Sequence, residues 1–87
     1  MEHRRSNIEV IADILRLGEA GKTEIMYSGN MSYFQLQKYL SFMLRLNLIE
    51  EVYVGNPIIT YRVTKKGLKL LRNIDGILGV LELREED

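Results

Sequence analysis

Five residues between positions 34 and 45 have the types and the spacing of a nucleic-acid contact face. Phe34, Gln37, Lys38, Ser41 and Arg45 recur at steps of three and four, which places them along one side of a helix. Gln can pair bidentately with an adenine edge, and Lys can donate to guanine or to phosphate. A serine hydroxyl donates or accepts, and an exposed Phe suits a thymine methyl. Tyr33 stands on the first turn of the same helix, and Ser32 and Gln35 at its start and edge. The same residues also describe an ordinary solvated helix face, and Phe34 fits a protein contact equally well.

Other cations could grip a phosphate backbone around that face. Lys22 and Thr23 open a preceding short helix, whose free amides add to the charge of Lys22. Arg62, Lys65 and Lys66 flank a hairpin, and Arg4 and Arg5 form a short basic arm. Any one of these also reads as surface charge. The hairpin tip Gly55-Asn56-Pro57 carries no charge, which speaks against a deep minor-groove contact.

Catalytic and metal chemistry find no purchase. There is no cysteine, and His3 is the single histidine, so thiolate and histidine metal sites are not expected and no cofactor is implied. Glu50 and Glu51 are adjacent on a strand and point to opposite faces, a poor acid/base pair. No nucleophile–base pair or phosphate loop is present, and the chain is expected not to be an enzyme. Tyr27, Tyr39, Tyr53 and Tyr61 suggest a stacking platform for single strands, but Tyr39 and Tyr61 lie near apolar faces and are expected to pack.

The elements that must position these residues follow from local signals. Ser6 and Glu9 form a capping box before a helix over about residues 7–18, with apolar stripes Ile8/Ile11/Ala12/Leu15 and Val10/Ile14/Leu17. Gly18-Glu-Ala-Gly21 closes it. Thr23 is the expected N-cap of a short helix through Ser28, and Gly29-Asn30 supplies the turn. Ser32 and Gln35 make a second capping box, with Met31 and Leu36 placed as a hydrophobic staple. Leu36, Leu40, Met43 and Leu44 form the inner face, and Asn47 marks the helix end near Leu46.

Leu48–Val54 and Ile58–Val63 read as two strands of a hairpin, with Ile59, Tyr61 and Val63 inward and Thr60 and Arg62 outward. Thr64 caps a final helix running from Lys65 to about Glu86, unless Gly76 breaks it. Leu71, Ile74, Leu78 and Leu81 have coiled-coil spacing, and Ile77 extends the strip.

Composition sets bounds. The 87 residues suit one domain, 46% apolar and 28% charged, with zero formal net charge. Residues 1–72 carry 11 basic and 7 acidic residues, whereas residues 73–87 carry 1 and 5, so a mildly basic body precedes an acidic tail. No apolar run reaches membrane-spanning length and no signal-peptide core follows the charged start, so a cytoplasmic protein without membrane contact or an evident small-molecule ligand is expected.

The order helix, helix, helix, strand, strand, helix is that of a winged helix-turn-helix, an α+β and mainly helical fold. The segments Lys22–Tyr27, Met31–Leu40, Leu48-Ile49 and Tyr61–Gly67 resemble the small archaeal winged-helix DNA-binding proteins. The resemblance covers about residues 6–72. It implies a winged head (1–67) and a C-terminal dimerisation helix with acidic tail (68–87). It also implies double-stranded DNA as partner, a regulatory or chromatin-associated role, and a homodimer joined by a coiled coil. The expected contacts are Lys22, Thr23, Ser32, Tyr33, Phe34, Gln35, Gln37, Lys38, Ser41, Arg45, Arg62 and Lys65 on DNA. Leu71, Ile74, Ile77, Leu78 and Leu81 are expected between subunits. The reading from another class is a protein-interaction adaptor of the same fold, which the neutral charge and uncharged wing tip favour.

Overall fold

The computed structural model describes residues 6–55 and 58–81. Arg4, Arg5 and His3, the tip residues Asn56 and Pro57, and the acidic end 82–87 lie outside the described residues. The chain forms α1 (Asn7–Arg16), β1 (Glu19–Ala20), α2 (Lys22–Gly29), α3 (Tyr33–Arg45), β2 (Ile49–Tyr53), β3 (Ile59–Val63) and α4 (Lys65–Leu81). The winged helix-turn-helix architecture is as expected, with one addition. The sheet has three strands in the order β1-β3-β2, all antiparallel, rather than the two of a bare hairpin.

The extra strand comes from the segment read as a mere helix stop. Gly18 adopts φ +80°, ends α1 and turns the chain so that its carbonyl accepts from Val63 N at 2.7 Å. Glu19 then pairs with Arg62, and Ala20 with Tyr61. A two-residue strand leaves no alternation to detect, so only the pairing partner reveals it. The same pairing shifts the start of α2. Gly21, still extended, is its N-cap, and Thr23 lies inside the first turn without capping it.

Both capping boxes form as read: Ser6 with Glu9 and Ser32 with Gln35. Asn30 and Asn47 take left-handed φ of 51° and 61° at the ends of α2 and α3. Leu15, Ile25, Leu36 and Met43 are the largest fully buried side chains, so α1, α2 and α3 share one core against the sheet. Tyr61 closes that core from β3, with Ile59 and Val63 packed beside it and Arg62 outside, as the strand alternation requires. Thr64 receives Gly67 N at 3.0 Å and donates to the Asn47 carbonyl at 2.7 Å, which fixes the start of α4 to the end of α3.

Helix α4 runs unbroken through Gly76 and Gly79 to Leu81. It lies on α1, where Ile74 is only 8% exposed and Leu70 and Leu71 pack against the core. No helix among the described residues is long and apolar enough to cross a membrane.

Candidate nucleic-acid interface

The sequence Ser32-Tyr-Phe-Gln35 decides how α3 is presented. Asn30 turns the chain out of α2, and Met31 N bonds back to the Met26 carbonyl at 3.2 Å. Ser32 Oγ accepts from Gln35 N at 3.1 Å, and Gln35 Oε1 accepts from Ser32 N at 3.0 Å. Ser32 and Gln35 therefore hold the mouth of the helix. Leu36, Leu40 and Met43 are buried behind it, and Tyr39 Oη donates to Asn7 Oδ1 at 2.7 Å, locking α3 to α1.

Opposite the buried face, the cations of the site rest on aromatic rings. Lys22 Nζ lies 5.6 Å from the centroid of Tyr33, Lys38 Nζ 5.6 Å from that of Phe34, and the Arg45 guanidinium 5.7 Å from that of Phe42. Tyr33 and Phe34 are 56% and 72% exposed. None of the three cations has a carboxylate partner among the described residues. An aromatic ring steers a cation without neutralising it, so three full charges are held at fixed places along one surface. Ser41 is exposed on the same side, between Lys38 and Arg45.

Other expected contacts are placed differently. Arg62 donates from Nε and Nη2 to Glu50 Oε2 at 3.1 and 3.0 Å, and it stands in register beside Glu19. It lies on the outer face of the sheet, away from Tyr61, with its charge answered. Gln37 is half-buried, and its Oε1 is buried without a hydrogen-bond partner, so the fully outward position drawn from the helical wheel does not hold. Lys65 is exposed as the first residue of α4. Phe42, the platform of Arg45, was missed because an exposed aromatic at a helix edge reads as core from spacing alone; its position three residues before Arg45 was the available signal.

The interface strip splits in two. Leu71 and Ile74 are used within the chain, while Ile77 and Leu81 are 59% and 58% exposed. With Ile8 and the half-buried Leu78 they line an apolar groove of about 490 Å³ between α1 and α4.

The fold and the presented helix define a class. The winged helix-turn-helix family matches residues 4–82, and the chain belongs to it. That family is not one of enzymes. Among its relatives, Sso10a-2 of Sulfolobus solfataricus, described as a DNA-binding protein, superimposes with a TM-score of 0.80 at 28% identity, covering 90% of this chain and 83% of that one. A MarR family transcriptional regulator from Silicibacter pomeroyi gives a TM-score of 0.71 at 16% identity over 84% of this chain and 50% of its own, which establishes the shared fold alone. An uncharacterized protein of Methanocaldococcus jannaschii is 36% identical over 52 residues, covering 56% of this chain. The chain spans 54% of that relative's length.

Proposed function

We propose that this protein binds double-stranded DNA as a homodimer, with α3 laid in the major groove, and serves as a transcription regulator or chromatin-associated protein. The observation that carries the reading is the row of cations seated on rings, Lys22 on Tyr33, Lys38 on Phe34 and Arg45 on Phe42, along the exposed side of α3. Lys38, Ser41 and Phe34 are the groups placed for base edges, and Lys22, Thr23 and Lys65 for phosphates. Arg62 drops out of the phosphate set because Glu50 holds it. The described DNA-binding character of Sso10a-2 supports the assignment.

The groove lined by Ile8, Ile77, Leu78 and Leu81 is the face proposed for the second subunit. Two-fold pairing covers such a strip with another copy of itself. Leu71 and Ile74 support that face from below, as the contacts that hold α4 on α1.

One observation favours an adaptor that binds protein instead: Tyr27, Tyr33 and Phe34 expose large aromatic surface on a chain with no net charge. Titration of a duplex at two salt concentrations separates the readings. A DNA-binding head with these cations gives about three to five phosphate contacts, hence a slope of log K on log salt of about −2.7 to −4.5 per head. An adaptor gives none.

A further inference from the structure

A cleft of about 380 Å³ lies between α1 and α3, lined by Asn7, Ile11, Gln35, Lys38, Tyr39 and Phe42. That is the size of a small-ligand site. Its lining comes from two helices far apart in the chain, so no local spacing announces it. Ile11 and Tyr39 are half-buried and packed on the core, and with Phe42 they give the cleft an apolar wall. The polar groups of Asn7, Gln35 and Lys38 that remain free are donors. Tyr39 Oη donates to Asn7 Oδ1 at 2.7 Å and Ser32 N to Gln35 Oε1 at 3.0 Å, so both amide oxygens are used and both amide NH₂ groups are left to donate. Lys38 brings an ammonium with no carboxylate partner among the described residues, and a second such cation, Arg45, lies on Phe42. No carboxylate is among the lining residues.

We propose that this cleft binds a small aromatic carboxylate, and that the ligand releases DNA by taking Lys38. The ring lies against Ile11, Tyr39 and Phe42, and the carboxylate accepts from Lys38 Nζ, Gln35 Nε2 and Asn7 Nδ2. Both halves of the ligand are needed to account for the cleft. A phosphate has no use for the apolar wall, and an uncharged apolar molecule leaves the Lys38 charge unanswered. The release of DNA rests on the DNA-binding reading, in which Lys38 is placed for a base edge; the binding of the carboxylate does not. The two uses of Lys38 compete, because an ammonium paired in the cleft is lost to the duplex. By linkage the duplex weakens the ligand by the same factor as the ligand weakens the duplex.

The test uses the full chain with naphthoate as probe, naphthylmethanol as the ring without the charge, and acetate as the charge without the ring. In the isotope-labelled chain, naphthoate is expected to shift the amide resonances of Ile11, Tyr39 and Phe42 and to bind about tenfold more tightly than the alcohol, whereas acetate at equal concentration shifts none of them. Asn7→Asp keeps an acceptor for Tyr39 and places an anion in the cleft, and Lys38→Gln removes the ammonium. Each is expected to weaken naphthoate about tenfold and to leave the alcohol as in the parent. Saturating naphthoate is expected to weaken duplex binding about tenfold in the parent and not at all in Lys38→Gln. Three outcomes overturn the site: equal affinity for naphthoate and the alcohol, shifts confined to Ile77, Leu78 and Leu81 of the α1–α4 groove, or cleft amides that move with chain concentration alone, which would make the cleft an interface between copies. Naphthoate in the cleft with duplex affinity unchanged overturns the release of DNA. A chain that binds no duplex overturns the DNA reading and the release with it, and the naphthoate and alcohol affinities still decide the site.

Discussion

The Arg16 guanidinium of α1 is ion-paired with the Asp75 carboxylate of α4, across 59 residues of chain. Both side chains are about one-third or more exposed, so the pair contributes at most about 1 kcal/mol. Its value is positional. Asp75 immediately precedes Gly76, the point at which the sequence left a helix break open. With Ile74 buried and Asp75 tied to α1, the backbone on the near side of Gly76 is held helical, and the helix carries on past it.

Two glycines of α4 should therefore respond in opposite ways to the same substitution. A Cβ on Gly67 would stand 2.2 Å from the Leu48 carbonyl oxygen and 2.8 Å from Val63 Cγ2. The carbonyl is fixed, because it accepts from Thr64 N at 3.0 Å. Gly67→Ala is expected to cost about 3 kcal/mol or more. At Gly76 nothing lies within 4 Å, and Gly76→Ala is expected to stabilise by about 1 kcal/mol through helix propensity. Denaturant titration of both variants checks the pair, and a stabilised Gly67→Ala would contradict the close packing of α4 on Leu48 and on Val63 of β3.

Tyr61 gives a pH signature. Its pKa is raised above 10.0, first by burial, with Glu51, Tyr33 and Tyr53 adding to the rise and Lys22 opposing it. The folded state thus holds the phenol proton more tightly than the unfolded state. Stability from this group is intact below about pH 10 and is lost as pH climbs toward the folded pKa. Alkaline unfolding is expected to be shallower in Tyr61→Phe. Ultraviolet titration of the parent against Tyr61→Phe is expected to show Tyr61 ionising above pH 10, and a Tyr61 that ionises at or below pH 10 would count against its burial.

Much of this was legible in sequence because it is local. Ser6/Glu9 and Ser32/Gln35 announce helix starts within four residues, and Asn30 and Asn47 announce ends. Leu36, Leu40 and Met43 fix which side of α3 is inward. What was not legible depends on partners far along the chain. Glu19-Ala20 becomes a strand only because Arg62 and Tyr61 offer an edge, and that pairing makes Gly21 rather than Thr23 the cap. Arg62 looked available because its partner Glu50 sits on the neighbouring strand, 12 residues away. Gln37 looked exposed because a helical wheel assigns a direction to the Cβ and says nothing of where a long amide ends.

The row of cations on rings gives the clearest test of the face proposed for DNA. Lys38→Ala removes a charge from an exposed position with no carboxylate partner among the described residues, so the fold should be unaffected. Duplex binding is expected to weaken by about 1–3 kcal/mol if Lys38 meets a base edge, with altered preference at that position. If it meets a phosphate, binding should fall evenly across sequences and the salt slope should drop by about 1. Arg62→Ala is the internal control, since Glu50 already answers its charge, and it is expected to change affinity little. A variant set in which Arg62→Ala weakens binding more than Lys38→Ala would move the contact face from α3 to the outer sheet.

The assembly prediction rests on the division of labour along α4. Leu70, Leu71 and Ile74 cover the core and α1 of their own chain, which leaves Ile77 and Leu81 more than half exposed beside the exposed Ile8. Such a continuous apolar strip is unusual on a soluble monomer, and a second copy lying across it buries both. Because Ile74 and the Arg16–Asp75 pair hold α4 to α1 independently, the strip can be changed without releasing the helix. Light scattering at micromolar concentration is expected to give twice the chain mass for the parent and the single mass for Ile77→Glu/Leu81→Glu, with helix content unchanged by circular dichroism. Duplex affinity is expected to fall in the double variant, since a dimer brings two α3 helices to one site and a monomer only one. A parent that scatters as a monomer would remove the dimer and leave the α1–α4 groove as ordinary surface of a single head.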